Sequence, residues 1–170
     1  GTTGQVLTKT SGTDFVTHWA TPLPQFSALA ADVSGGAAGA NVLFYFTGLS
    51  FPVTSGILYH FRFFIQYTLT GTATGTRWTI SGPASPTALR FRSQYSFTLI
   101  LDTVNNGLSA YDTPAVTNTT SAATAANIAI VEGFIQPSAN GTVIARAAHE
   151  LPANSVVAKA GSWVEWRQVI

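Results

Sequence analysis

The chain has 170 residues, of which 46% are apolar and only 9% charged, with a formal net charge of +1. This apolar fraction excludes a disordered tail, and a domain of this length hides enough surface to fold without disulfides or metals. The eight basic residues are scattered rather than gathered into a run that would neutralise phosphates, so no nucleic-acid partner is expected.

Cys is absent, which removes disulfides, thiolate chemistry and zinc–thiolate sites. Met is absent too, and the expectation is a chain processed at its start or cut from something longer. No apolar run is long enough to span a bilayer as a helix, so membrane insertion is not expected. An ordinary soluble domain carries about 25% charged residues. Thr, Ser, Asn, Gln and Gly supply the polarity here instead. Few charges mean few desolvation penalties when large areas are covered, which points to an obligate oligomer. A hydroxyl-rich extracellular monomer is the alternative.

In chain order, Gln5–Thr8 and Phe15–Trp19 read as two short strands joined by the Ser11-Gly12-Thr13-Asp14 turn. Pro22 and Pro24 then end pairing. Ala28–Val33 fits a weak helical turn or an extended segment, and Ser34–Ala40 reads as a flexible linker. Residues 1–40 are accordingly expected to be a hairpin and attachment segment, and residues 41–170 a head.

Val42–Phe46 is a short aromatic run, and Phe51–Gly56 holds a turn around Pro52. From Gly56 to Thr70 the odd positions are Ile57, Tyr59, Phe61, Phe63, Ile65, Tyr67 and Leu69, a period-2 pattern that predicts a long strand. Thr76–Ser81 predicts a strand with Trp78 and Ile80 inward, and Leu89–Leu101 a longer one interrupted near Ser93. Asn105-Asn106-Gly107 carries hairpin-turn chemistry. Residues 109–126 read as a long surface excursion. Asn127–Gln136, Thr142–Leu151, Ser155–Lys159 and Ser162–Ile170 complete the strands, with Trp163 and Trp166 on opposite faces of the last. Many short strands and no useful helix predict a sandwich or barrel, read here as an all-β antiparallel sandwich. Two strands are aromatic on both faces, which asks for cover on both: a partner sheet on one side and a neighbouring subunit on the other.

Catalytic chemistry has little to work with. The histidines are His18, His60 and His149, none at helical metal-pair spacing, and no His-Glu-x-x-His or calcium-loop pattern occurs. His149 beside Glu150 reads as a surface hydrogen bond, and Arg90-Phe91-Arg92 as strand alternation rather than a base-stacking site. The chain is expected to have no enzymatic activity, cofactor or metal. Trp163, Glu165 and Arg167 form a candidate seam cluster on the last strand. Tyr111 is the one aromatic in the excursion and lies beside Asp112, and the two are the candidate receptor-facing residues.

Gly1-Thr2-Thr3-Gly4-Gln5-Val6-Leu7-Thr8-Lys9, then Ser11-Gly12-Thr13-Asp14 and Trp19-Ala20-Thr21-Pro22, resembles a segment that precedes C-terminal heads in bacteriophage fibre proteins. Gly133-Phe134-Ile135, Asn140-Gly141-Thr142, Ala147-Ala148-His149-Glu150 and Lys159-Ala160-Gly161-Ser162-Trp163 resemble the close of heads on phage structural proteins. The aromatic strands after Val53-Thr54-Ser55-Gly56 loosely resemble trimeric jelly rolls of the tumour-necrosis-factor-like type.

These resemblances imply a homotrimeric fibre head or capsid decoration on the virion surface. The N-terminal segment would hold other capsid or tail proteins, and Trp163, Glu165, Trp166, Arg167 and Ile170 would lie at the threefold seam. Adhesion to a host-surface glycan or protein is a further expectation. A dedicated tail-fibre adhesin is the alternative function.

Overall fold

A computed structural model describes residues 1–2, 5–9, 12, 17–20, 24–35, 39–152 and 154–169. Among these residues there are strands and no helix. Two antiparallel sheets form a sandwich-like arrangement, and a separate two-stranded sheet pairs β1 (Val6–Lys9) with β2 (Thr17–Ala20). Leu7 lies opposite Trp19 in that hairpin. Ser11, Thr13 and Asp14 of the expected turn, like Ile170, lie outside the described residues.

The remaining strands are β3 (Gln25–Ala28), β4 (Val33–Gly35), β5 (Phe44–Val53), β6 (Tyr59–Leu69), β7 (Thr76–Ser81), β8 (Ala88–Ser96), β9 (Asp102–Leu108), β10 (Asn127–Gln136), β11 (Gly141–His149), β12 (Val156–Ala158) and β13 (Trp163–Gln168). The large sheet runs β3-β13-β6-β10-β8-β9, with β12 pairing β4 and the far end of β6; the small sheet runs β5-β11-β7.

β6 is the centre of the large sheet. Its burial alternates along its whole length, with Tyr59, Phe61, Phe63, Ile65, Tyr67 and Leu69 buried. Period-2 alternation sends every second side chain to one face. Here that face meets the small sheet. Phe51 stacks on Trp166 with centroids 5.3 Å apart, and Phe46 stacks on Trp78 at 4.9 Å. Tyr67 completes the group 5.1 Å from Trp78. On one side the sandwich is also pinned by Ser93 Oγ, which donates to the Trp78 carbonyl at 2.6 Å and so ties β8 to β7.

Three expectations need correction. Phe44–Phe46 of the expected aromatic run and Phe51–Val53 belong to a single strand, β5. Gly48, at φ +98°, makes a bulge that resets the alternation, so that Phe46, Leu49 and Phe51 all face inward. Pro52 is tolerated because β5 is an edge strand.

Asn105-Asn106-Gly107 lies inside β9, and the chain reverses earlier, where the Phe97 and Thr98 amides donate to the Leu101 carbonyl. Gly107, with φ +68°, serves the irregularity opposite Phe91–Ser93 instead of a turn. Finally, β3 and β4 pair with β13 and β12. The head therefore takes in residues 25–35, which composition assigns to the connector. Gly35 packs so tightly that a Cβ would sit 1.5 Å from the Phe44 ring, so this small residue is an interior contact rather than linker slack.

Trp78 is fully buried between the sheets. Trp78→Ala is expected to cost about 3–5 kcal/mol through lost contacts and an unfilled cavity. Chemical denaturation monitored by far-UV circular dichroism checks this.

Candidate functional site: the outer face of the large sheet

Side chains that point away from the sandwich fall into rows set by strand register. The first row is Arg90, Phe134, His60 and Arg167 on β8, β10, β6 and β13. The second is Arg92, Glu132, Arg62 and Glu165, continued by Phe26 on β3. The third is Val104, Gln94, Ile130, Phe64 and Trp163.

The rows differ in chemistry. The first two are charged, and Glu132 is held from both sides by Arg92 at 2.7 Å and Arg62 at 3.3 Å. His60 meets the edge of Phe134 at 5.1 Å. In the third row Phe64 lies almost parallel to Trp163 at 5.5 Å, and Phe26 tilts against Trp163 at 5.7 Å. Several of these apolar groups face solvent: Phe26 is 62% exposed, Phe134 45%, and Ile128, just beyond the third row, 43%. Phe64, Ile128, Ile130, Ala122 and Ala126 also line a groove of about 330 Å³ that ends at Leu99.

Beyond the groove the β8–β9 turn projects Leu99 and Ile100, 84% and 89% exposed, together with Leu101. Sequence reading missed this tip because Leu89–Leu101 reads as a single long strand whose one interruption is placed near Ser93, short of the turn. The signal that finds it is Ser96-Phe97-Thr98, where alternation loses its partner and hydroxyls replace the apolar residues.

The five seam candidates separate. Trp163, Glu165 and Arg167 all point to the outer face, as expected from their spacing. Trp166 points inward and packs on Phe51, so it belongs to the core of its own chain. Ile170 lies outside the described residues. β13 itself is internal, hydrogen-bonded on one side to β6 and on the other to β3.

Tyr111 and Asp112 are not at a free tip. The segment that carries them lies on the small sheet and is fastened there by two buried or half-buried guanidinium groups. Arg77 donates to the carbonyls of Asp112 at 3.1 Å, Pro114 at 2.6 Å and Asn41 at 2.9 Å. Arg146 donates to the Asp112 carboxylate at 2.6 Å and lies 4.3 Å over the Tyr45 ring. Burial pushes the Arg77 guanidinium below its usual range and the Tyr111 phenol up to about 12.

Further along, Asn118 bonds Thr76 through both backbone and side chain, sealing the free edge of β7. The expected surface excursion is therefore a strap. A Cβ on Gly75 would meet the Asn118 carbonyl at 1.5 Å, so glycine is required where the strap crosses.

His149 also departs from expectation. It is fully buried, its ring lies 6.0 Å from Phe44, and neither ring nitrogen has a hydrogen-bond partner among the described residues. Glu150 turns instead to the Gly75 amide, 3.2 Å from its carboxylate. Among the described residues no three His, Cys, Asp or Glu side chains converge to hold a metal ion.

No family model matches the chain, and no curated protein matches it. Solved structures of low similarity include several of infectious bursal disease virus. Its VP2 subviral particle is 10% identical, with 94% of this chain and 45% of that chain covered and a TM-score of 0.26. The Gx strain gives 12% identity, 95% and 45% coverage and a TM-score of 0.26. The Gt strain gives 10%, 99%, 48% and 0.25. The chain thus spans less than half the length of these proteins, and superposition at this level carries no functional argument.

Two measurements check the strap. Arg77→Ala is expected to leave the Asp112, Pro114 and Asn41 carbonyls unpaired, opening residues 109–121 to protease while the sheets persist. In an alkaline titration at 295 nm, Tyr67 and Tyr111 are expected to ionise only near pH 12. Because both folded values lie above the unfolded value of about 10, their contribution to stability is complete below pH 10 and is lost as pH rises toward 12.

Proposed function

We propose that this chain is a non-enzymatic virion structural protein, a homo-oligomeric β-sandwich head displayed on a virion surface. Its N-terminal segment joins it to other capsid or tail proteins. The observation that carries the reading is the outer face of the large sheet, where Phe26, 62% exposed, Ile128, 43% exposed, and the half-buried Trp163, Phe64 and Ile130 lie together, with Phe134, 45% exposed, on the far side of the charged row.

A monomer seldom exposes such a group without using it. Its arginines and aromatics, with no lysine in the three rows, match the composition of protein contact surfaces. A charged fraction of 9% keeps the desolvation cost of covering it low. The resemblance of residues 1–22 and 133–163 to phage fibre heads supplies the virion context and implies threefold assembly.

The Leu99–Leu101 tip favours a second reading, a dedicated receptor-binding adhesin. Three consecutive aliphatic residues at the end of a hairpin suit an apolar patch on a host-surface protein better than a glycan, which calls for aromatic platforms and amides.

Light scattering on residues 1–170 is expected to give a multiple of the 17.9 kDa chain mass. Particles purified from cultures that express the chain are expected to contain it in stoichiometric amount by mass spectrometry. A stable monomer at the highest soluble concentration, absent from particles, would leave the adhesin reading in its place.

A further inference from the structure

The second row of the outer face alternates in sign across four adjacent strands: Arg92, Glu132, Arg62, Glu165. Such a row is its own complement. If a second copy is laid face to face, related by a twofold axis along the strands between β10 and β6, each position meets its mirror in the row. Arg92 then faces Glu165 of the other copy, and Glu132 faces Arg62.

The neighbouring rows agree with the same axis. In the third row Ile130 falls on Phe64 and Gln94 on Trp163; in the first, Phe134 falls on His60. Arg90 and Arg167 are the like-charged exception, and they occupy the two ends of the first row, where water screens them. A twofold axis across the row, at right angles to the strands, would instead place Arg92 against Arg92 and Glu132 against Glu132.

Other occupants fit less well. A lipid surface would favour basic residues beside the apolar groups. The residue next to the aliphatic tip is Asp102, hydrogen-bonded to Gln94 at 2.7 Å. Glu165 completes the alternation yet forms no ion pair among the described residues, although Arg62 is its register partner. Glu132 already engages the Arg62 guanidinium.

We infer that the outer face of the large sheet is an isologous seam, occupied by a second copy of this chain with Arg92 of each copy paired to Glu165 of the other. The inference rests on the oligomeric reading above and specifies its symmetry: twofold contacts at this face, whether in a simple dimer or between larger rings.

Disulfide trapping in the full chain tests it, since the native sequence has no cysteine to interfere. Positions 92 and 165 lie three strand spacings apart within one chain, roughly 14 Å. That is beyond the reach of a disulfide. An Arg92→Cys, Glu165→Cys double variant is expected to oxidise to a covalent dimer and stop there, while each single variant stays non-covalent.

A ladder extending to trimer or beyond would mean a head-to-tail contact and overturn the twofold seam. No cross-link in a protein that light scattering still shows as an oligomer would place the seam elsewhere, overturning this inference but not the oligomeric reading. A monomer by light scattering, in the unsubstituted chain, would overturn both. Glu165→Arg in the cysteine-free chain is expected to weaken association at least tenfold, and an unchanged dissociation constant would also contradict the pairing.

Discussion

The structure depends on one strand whose two faces are both committed. β6 sends Tyr59, Phe61, Phe63, Ile65, Tyr67 and Leu69 into the sandwich and His60, Arg62, Phe64 and Gln66 to the other side. It is hydrogen-bonded to β10 along one edge and to β13 and then β12 along the other. Its register consequently sets which side chains of four strands share a row. A slip of one residue would turn every inward aromatic to the outer face. The inner commitment is met by Phe51, Phe46 and Trp78 of the small sheet. The outer commitment is the basis of the function proposed here.

The small sheet meets the same demand within the chain. β7 is buried on both faces because the strap after β9 lies across it, held by Arg77, Arg146 and Asn118. A buried guanidinium is costly unless its hydrogens find acceptors. Here three backbone carbonyls accept from Arg77. Eight of the charged residues are thus used in two ways: Arg77 and Arg146 as internal fasteners, and Arg62, Arg90, Arg92, Arg167, Glu132 and Glu165 gathered on a single sheet face.

How much of this was legible follows from how local each signal is. The long alternation of β6 needs no tertiary information, and the all-β antiparallel sandwich follows from it and from the turn residues. The inward Trp78 and the outward set of Trp163, Glu165 and Arg167 were legible for the same reason. Features set by long-range contact were not. The bulge at Gly48 hides the continuity of β5. The strap looks like a polar loop until Arg77 and Asn118 are seen to hold it. His149 reads as a surface residue because nothing in its neighbours announces the Phe44 ring beside it. Trp166 looks like a seam aromatic because its stacking partner, Phe51, is more than a hundred residues away in sequence.

The central claim is that the outer face of the large sheet is covered by another copy of the chain. Hydroxyl-radical footprinting read by mass spectrometry, on concentrated and on diluted protein, tests it most directly. Phe26, Phe64, Phe134 and Trp163 are expected to be protected in the concentrated sample and to become reactive on dilution. Tyr45, half exposed on the small sheet, provides the internal control and is expected to react equally in both. Equal labelling of the outer-face aromatics at both concentrations would contradict the account.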